Sequence, residues 1–341
     1  MKRATARWPT LLLVNPSSRR GRAAFPLVAR ALKSRVNLID ATLTASPGDM
    51  QDRIRRALAR GVRRFVVGGG DGTLSQAADI LAQSEGVLGV LPVGTGNTFA
   101  HGLGLPTDLD PWLSLIESGP IQRYDVGLAV KGSARKVFLN SLTMGVSERL
   151  VELLSREQKL RWGYCAWVAQ FHRALLQTPV LHVELSWSEG HDAYETRQLL
   201  VVNGRTLAAS ISPTPLSSGQ DGLLEVFRLG NPSLWSIVRL GAKLLAGRLI
   251  SDREAHYRAL TAVTLAVEPP LPVNIDGDLW QSPPMSCRVL PGALAVIAPE
   301  DSGPPERRWP LVMRTVGAPR RLAVRTPSYS SQGQRFKPPD S

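Results

Sequence analysis

The first hundred residues alternate between short apolar runs and longer segments whose apolar residues have helical spacing. The pattern predicts four strands, because each apolar run stops at turn-forming residues: 11–14, 36–43, 65–67 and 87–91. Residues 23–32, 49–60 and 74–81 read as the helices between them. This order predicts a doubly wound parallel-sheet α/β domain over residues 8–125, with ligands bound beyond the carboxyl ends of its strands.

The pattern changes after about Asp125. Segments rich in Val, Ile, Leu and Thr follow one another between turns, and they predict an antiparallel β-sandwich domain over residues 126–299. The predicted strands are residues 137–142, 180–187, 197–203, 223–229, 261–267, 272–276 and 286–298. Two helical stretches, 147–176 and 234–260, interrupt them. Residues 300–341 have the basic, proline-rich composition of a disordered tail, with eight basic and three acidic side chains after residue 300.

Composition narrows the class of partner. The 341-residue chain has a formal net charge of +13, which favours an anionic partner: nucleic acid, an acidic membrane surface or nucleotide phosphates. No apolar run reaches the roughly 20 residues that span a bilayer, so we expect a cytoplasmic protein. Two cysteines are too few for a disulfide framework, and the five histidines lack the spacing of a metal site.

Two glycine loops follow the third and fourth predicted strands. The first, residues 68–73, has three glycines, Asp71, a fourth glycine and Thr73 before a helix. Glycines let main-chain amides approach phosphate oxygens, and the helix directs its positive end at the same point. Asp71 would repel a bare phosphate, so its presence favours a nucleotide bound with Mg²⁺. The alternative is a tight turn in which Asp71 caps a helix.

Neither loop has the GxxxxGK[ST] or GxGxxG pattern. Instead, five motifs in order resemble the diacylglycerol kinase catalytic-domain family, which includes bacterial lipid kinases and sphingosine kinases. The likeness covers about residues 11–298, and its motifs are Val14-Asn15-Pro16-Ser17-Ser18, Gly69-Gly70-Asp71-Gly72-Thr73, Pro92-Val93-Gly94-Thr95-Gly96-Asn97, Ser218-Gly219-Gln220-Asp221-Gly222-Leu223-Leu224 and Asn274-Ile275-Asp276-Gly277-Asp278.

The resemblance implies a set of ligand-binding residues. Those that would bind ATP are Asn15, Thr44, Gly68, Gly69, Gly70, Asp71, Gly72, Thr73, Gly94, Thr95, Gly96 and Asn97. Asp221, with the main-chain oxygens of Ser218 and Leu223, would hold a structural or regulatory Mg²⁺. From the residues alone, Asp221 and Gly222 also fit an ordinary turn before a strand.

The catalytic residues implied by the resemblance are Asp71, Asp276 and Asp278. Asp278 is the predicted base that accepts a hydroxyl proton, and Asp276 would orient it or help with the metal. The chain departs from the family here, because the last motif usually ends in Glu, which is one methylene longer than Asp278. Acidic residues frequent in the family are also replaced by Thr98 and Gln76.

These features predict an ATP-dependent lipid kinase that transfers the γ-phosphoryl group to a lipid hydroxyl. A lipid acceptor accounts for the basic surface, since the enzyme must visit the anionic inner face of the membrane as a peripheral protein. We expect no nucleic-acid partner, and the sequence leaves open whether the protein forms a homodimer. The alternatives are an NAD kinase-like enzyme and a catalytically weak regulator that binds nucleotide and membrane. The sequence does not distinguish diacylglycerol from other lipids with a hydroxyl group.

Overall fold

A computed structural model describes residues 8–153, 173–207, 218–229 and 255–300, together with Arg239 and Lys243. Two sheets organise these residues: one of ten strands, which contains the parallel strands of the first half of the chain, and one of six strands. Apart from Glu300, the residues predicted to form the C-terminal tail lie outside the described part of the chain.

The first lobe alternates strands and helices as predicted. Its elements are β1 (Thr10–Val14), α1 (Gly21–Lys33), β2 (Leu38–Leu43), α2 (Pro47–Ala59), β3 (Arg64–Gly69), α3 (Asp71–Leu81), β4 (Val87–Pro92), α4 (Thr98–Gly102) and α5 (Leu109–Ser118). The strands pair in parallel in the order β2-β1-β3-β4. Strands β1, β3 and β4 are buried along their whole length, which explains why their sequences are continuous apolar runs instead of alternating ones.

The register of these strands brings the predicted ligand-binding loops to one edge. Leu43 is opposite Val14, Val14 is opposite Gly68, and Gly69 is opposite Pro92. The chain therefore leaves all four strands at the same level, and the two glycine loops are neighbours at the carboxyl edge of the sheet.

The second half of the chain consists mainly of antiparallel strands. Its elements are β5 (Ile121–Lys131), β6 (Ala134–Phe138), β7 (Ser141–Gly145), α6 (Val146–Leu153), β8 (Leu181–Trp187), β9 (Gly190–Thr196), β10 (Gln198–Val202), β11 (Leu224–Leu229), β12 (Ala255–Leu260), β13 (Ala262–Glu268), β14 (Val273–Ile275), β15 (Asp278–Trp280) and β16 (Met285–Ile297). The six-stranded sheet has the order β12-β11-β10-β7-β14-β15.

Strand β16 joins the two halves. It pairs in parallel with β4 and antiparallel with β5 and β13, so the large sheet runs from the first lobe into the sandwich. The β16–β5 pairing shifts register between Leu290 and Leu294, where Gly292 adopts a positive φ of 54°. Such a bulge bends the strand and lets it serve both lobes.

The sandwich core lies between the two sheets. Alternate residues of β8 and β13 are buried on one side, and they meet Leu142, Met144, Leu199 and Val201 of the facing sheet. This period-two burial is what a half-buried antiparallel strand requires. The predicted fold class, a parallel α/β lobe followed by a β-sandwich, is confirmed.

Several predicted element boundaries were wrong. The helix predicted over residues 234–260 cannot extend to its end, because Ala255–Leu260 is a strand that pairs with β11. Strand pairing here overrides the helical propensity of the local sequence. The strand predicted over residues 137–142 is two strands in different sheets. Helix α3 begins at Asp71, not near Leu74, because Gly70 is its extended N-cap residue. The predicted helix over residues 147–176 is described only in part.

None of the helices in the described part of the chain combines the length and the apolar character that a membrane-spanning helix requires.

Candidate active site

The two glycine loops touch through their backbones. A Cβ atom built on Gly94 would lie 2.3 Å from the Gly70 Cα and 2.9 Å from the Gly70 nitrogen. Gly69 has the same constraint, since its Cβ would lie 2.4 Å from the Thr73 Cβ. The close packing explains why both loops need glycine, and it leaves main-chain atoms at the surface of the cleft.

The N-terminus of α3 faces this cleft. Gly70 is its N-cap residue, and no side chain of the described residues forms a capping hydrogen bond there. Asn15 fixes the neighbouring β1 loop, because its Nδ2 donates to the Thr73 Oγ1 at 3.0 Å and its backbone nitrogen donates to the Gly68 carbonyl at 2.8 Å. Uncapped amides and the positive end of a helix dipole form an anion-binding surface.

The second loop is closed by Asn97. Its Oδ1 accepts from the Gly94 nitrogen at 2.9 Å, and its Nδ2 donates to the Gly94 carbonyl at 3.2 Å. Asn97 has φ of 50°, a left-handed conformation that asparagine tolerates better than most residues. Thr95 is exposed at the tip of the loop. Thr44 is buried at the end of β2, where its Oγ1 donates to the Val14 carbonyl at 3.4 Å.

Asp71 connects the two loops to the second lobe. Its Oδ1 accepts from the Phe99 nitrogen at 2.9 Å and from the Asn140 Nδ2 at 3.3 Å. Its Oδ2 lies 3.2 Å from the position of a Cβ on Gly96. The carboxylate thus faces the second glycine loop while it holds the start of α4, so one side chain serves both loops.

Asp276 is buried and surrounded by donors. Its carboxylate accepts from the main-chain nitrogens of Leu139 at 2.6 Å, Asn140 at 3.0 Å and Ser141 at 2.9 Å, and from the Ser75 hydroxyl. Burial raises the pKa of Asp276 to about 6, although these hydrogen bonds favour the ionised form. The carboxylate connects helix α3, the β6–β7 connection and the β14–β15 hairpin. Of the two predicted roles, this geometry favours orientation over metal binding.

The hairpin places Asp278 over α3. Asp276 and Gly277 form its two-residue turn with φ of 49° and 96°, and Ile275 pairs with Asp278. Two positive φ angles are the signature of the tight turn that connects twisted antiparallel strands. The Asp278 Oδ1 lies 3.3 Å from the position of a Cβ on Gly72, in the first turn of α3. The Asp278 side chain is 44% exposed, so solvent reaches it.

Asp221 lies on a loop that is attached to β5. Its Oδ1 accepts from the Leu223 nitrogen at 3.0 Å, and the Ser218 hydroxyl accepts from the Gln220 nitrogen at 3.2 Å. Burial raises the pKa of Asp221, and the nearby Asp125 carboxylate raises it further. Among the described residues, no group of three or more His, Cys, Asp or Glu side chains is arranged to hold a metal. The Mg²⁺ site at Asp221, Ser218 and Leu223 therefore stays a prediction.

Asp125 is the buried residue that attaches this loop, and the sequence reasoning missed it. Its two carboxylate oxygens accept from the Gly222 and Gly292 nitrogens, each at 2.7 Å. Beside it lies a cavity of about 280 Å³ between α4 and the second lobe. Asn140 and Asn203 line that cavity, and each has a buried Oδ1 that accepts no hydrogen bond from the described part of the chain. The cavity lies next to the Asp71 side of the cleft and does not include Asp278.

The fold and the paired glycine loops define a two-lobe protein of the diacylglycerol kinase type. Residues 9–129 match the family described as "Diacylglycerol kinase catalytic domain", and residues 140–298 match the "YegS C-terminal NAD kinase beta sandwich-like domain". The chain belongs to the family of YegS-like lipid kinases. The family predicted from the five motifs is therefore confirmed.

Individual relatives support this assignment. The "Probable lipid kinase YegS-like" of Pseudomonas savastanoi pv. phaseolicola is 32% identical over 278 residues, which are 81% of this chain and 88% of that protein. A protein of the same name from Pseudomonas aeruginosa (strain UCBPP-PA14) is 30% identical over 262 residues, 76% of this chain and 84% of the relative. A solved structure described as a diacylglycerol kinase from Bacillus anthracis str. Sterne shares the fold, with a TM-score of 0.69 over 86% of this chain and 97% of that one, at 20% identity.

The contact between the loops predicts a difference between two alanine substitutions. Gly94→Ala should lower the free energy of unfolding by about 1–3 kcal/mol, because its Cβ overlaps the Gly70 backbone. Gly70→Ala is the control, since its Cβ would lie 3.5 Å from the Gly94 Cα, an ordinary contact. Thermal and urea unfolding of the two variants checks this. Equal stabilities would contradict the packing of the loops.

The buried carboxylate of Asp276 predicts a pH dependence. Its pKa is about 3.9 in an unfolded chain and is raised on folding, so the folded state binds more protons between about pH 4 and pH 6. The contribution of Asp276 to stability therefore falls as the pH rises through this window. The stability advantage of the wild type over Asp276→Asn, which does not titrate, should shrink by on the order of 2 kcal/mol between pH 4 and pH 7. Urea unfolding of both proteins across this range tests it, and parallel curves would refute it.

Proposed function

We propose that this protein transfers the γ-phosphoryl group of ATP to a hydroxyl group of a lipid such as diacylglycerol. The observation that carries the proposal is the position of Asp278. Its carboxylate lies beside the first turn of α3, next to the two glycine loops that form an anion-binding surface. A carboxylate and an anion-binding surface at one cleft are what phosphoryl transfer to a hydroxyl requires.

The glycine loops are the proposed site for the phosphates of ATP. Gly70 and Gly94 approach so closely that main-chain atoms form the floor of the cleft, and α3 points its N-terminus at it. Main-chain amides bind phosphate oxygens without the entropy that a flexible side chain would lose. Asn15 and Thr73 hold the loop of β1 against this floor, so the surface is in place before the nucleotide binds.

Asp278 is the proposed general base. The lipid hydroxyl loses its proton to the Asp278 carboxylate, and its oxygen forms a bond to the γ-phosphorus while the bond between that phosphorus and the bridging oxygen of ADP breaks. Asp276 has the supporting role of placing the Asp278 backbone, because its buried hydrogen bonds fix the turn that precedes Asp278. Proton transfer of this kind contributes roughly 10²–10⁴-fold to a rate.

Mg²⁺ is the proposed metal cofactor, and its chemistry would be to neutralise charge on the phosphates. Asp71 is the carboxylate that fits this role, because its Oδ2 faces the second glycine loop. For a structural ion, Asp221 fits because burial and the neighbouring Asp125 disfavour its negative charge, which a cation would balance. The main-chain oxygens of Ser218 and Leu223 are its proposed companions.

The membrane is the proposed location of the acceptor. The net charge of +13 favours an anionic surface, and Arg19 and Arg22 are exposed next to the β1 loop of the cleft. Peripheral binding at the inner face of the membrane would bring the lipid hydroxyl to the cleft.

A direct assay tests the proposed reaction. The wild-type protein, incubated with labelled ATP, Mg²⁺ and a total lipid extract, should yield phosphorylated lipids that mass spectrometry identifies. Asp278→Asn should bind ATP as the wild type does and lower kcat by roughly 10²–10⁴-fold. Asp278→Glu restores the side chain usual in the family, and its rate tells whether the hairpin is adapted to the shorter carboxylate.

The alternatives have different outcomes in the same assay. Phosphorylation of NAD instead of lipid would identify an NAD kinase-like enzyme. ATP binding without transfer to either acceptor would identify a regulator. A wild-type rate for Asp278→Asn would show that the base lies elsewhere.

Vesicle binding tests the proposed partner. The protein should sediment with vesicles that contain anionic lipid and less with neutral ones, and its binding should fall as salt rises, because charges are screened within about 10 Å at 0.1 M salt. Deletion of residues 301–341, which carry eight basic side chains, should weaken this binding while the thermal unfolding transition is kept. Equal binding to neutral and anionic vesicles would contradict the proposal.

A further inference from the structure

Lys136 lies against the proposed base. It is on β6, an edge strand that pairs with β5, and its Nζ is 3.2 Å from the Asp278 Oδ2. The Lys136 side chain is 22% exposed, whereas that of Asp278 is 44% exposed. The Asp278 carboxylate therefore keeps exposed surface while Lys136 contacts it.

The contact with Lys136 matters because few other groups in the described part of the chain hold the Asp278 side chain. Asp278 begins a three-residue strand after a two-residue turn, and the next side chain, Leu279, is 60% exposed. Among the described residues, the hydrogen bond from Lys136 is the one recorded for the Asp278 carboxylate. Backbone pairing fixes the Asp278 Cα, but the direction of its side chain depends on this one contact.

The two residues reach each other from different sheets. Lys136 belongs to the large sheet and Asp278 to the six-stranded sheet, and Asp276 anchors the hairpin that carries Asp278. An ion pair between partly exposed side chains contributes little to folding stability. The main effect of the Lys136–Asp278 ion pair is therefore on the direction of the Asp278 carboxylate.

We propose that Lys136 is a positioning residue for Asp278: it holds the short aspartate carboxylate beside the first turn of α3, where that carboxylate accepts the proton of the acceptor hydroxyl. This inference rests on the proposed function. Small misplacement of a reacting group is known to reduce rates by about 10²-fold. Lys136 acts through Asp278, so its loss should affect turnover and spare ATP binding.

Three variants test this in the lipid kinase assay. Lys136→Met keeps the length of the side chain and removes its charge, and it should lower kcat by roughly 10–100-fold with the KM for ATP unchanged. Lys136→Arg should recover most of the rate, because it restores the ion pair. Lys131→Met is the matched control: Lys131 is on the adjacent strand, its Nζ donates to the Ser282 carbonyl at 2.6 Å, and its variant should have the wild-type kcat.

A double-mutant cycle separates positioning from a direct role. In an Asp278→Asn background, Lys136→Met should produce no further loss of kcat, because the carboxylate on which the lysine acts is gone. An equal fold-loss in both backgrounds, or a raised KM for ATP at unchanged kcat, would overturn the proposal and assign Lys136 to the phosphates.

A second measurement does not depend on activity. Crystal structures of the two variants should show the Asp278 carboxylate turned away from the first turn of α3 in Lys136→Met and unchanged in Lys131→Met. If the wild-type protein phosphorylates no lipid, the proposed function fails, and the direction of the Asp278 side chain alone decides whether Lys136 positions it. An unchanged Asp278 side chain together with an unchanged kcat would overturn the inference.

Discussion

The buried carboxylate of Asp276 is the interaction on which the site depends. It accepts hydrogen bonds from three consecutive main-chain amides and from Ser75, so it connects helix α3 with the β6–β7 connection and the β14–β15 hairpin of the second lobe. A buried carboxylate with fewer donors would be strongly destabilising. This requirement fixes the distance between α3 and the β14–β15 hairpin. Asp278, two residues later, is beside the first turn of α3 for that reason.

The proposed phosphate site consists mainly of backbone. Glycines at positions 69 and 94 let the chain pack against itself, and Asn15 and Asn97 close the loops with side-chain hydrogen bonds. Such a surface gives up little conformational entropy when an anion binds, since few side chains become ordered. It also tolerates few substitutions, because a Cβ at Gly94 would overlap the neighbouring backbone.

Local patterns predicted the first lobe and its loops. Strands β1, β3 and β4 are continuous apolar runs, and the loops after β3 and β4 carry their chemistry in consecutive residues, so a single segment contains the whole signal. The contacts that complete the site are different. Ser75 and Asp276 are 201 positions apart, and Lys136 and Asp278 are 142 apart. Their proximity follows from pairing between distant strands, which no local period reveals.

The wrong element boundaries have the same origin. Residues 137–142 include four apolar residues and look like one strand, but Leu139 and Asn140 turn their amides toward Asp276 and divide the segment between two sheets. Residues 255–260 form a strand because they pair with β11 in an antiparallel ladder. In each case a residue distant in sequence hydrogen-bonds to the main chain of the segment. These hydrogen bonds outweigh the local secondary-structure propensity.

The shared strand β16 limits how the site can change shape. It pairs with β4 of the first lobe and with β5 and β13 of the second, so rotation of one lobe against the other would break hydrogen bonds along a continuous sheet. The Asp276 contacts and the Asp71–Asn140 hydrogen bond add further connections across the cleft. Wide closure of the lobes is therefore disfavoured, and adjustment to substrates falls to exposed elements such as Thr95 and the hairpin around Leu279. The Asp278 carboxylate is short and solvent-accessible, and the frame that carries it is rigid. Its accurate orientation therefore depends on the side chain that contacts it, Lys136.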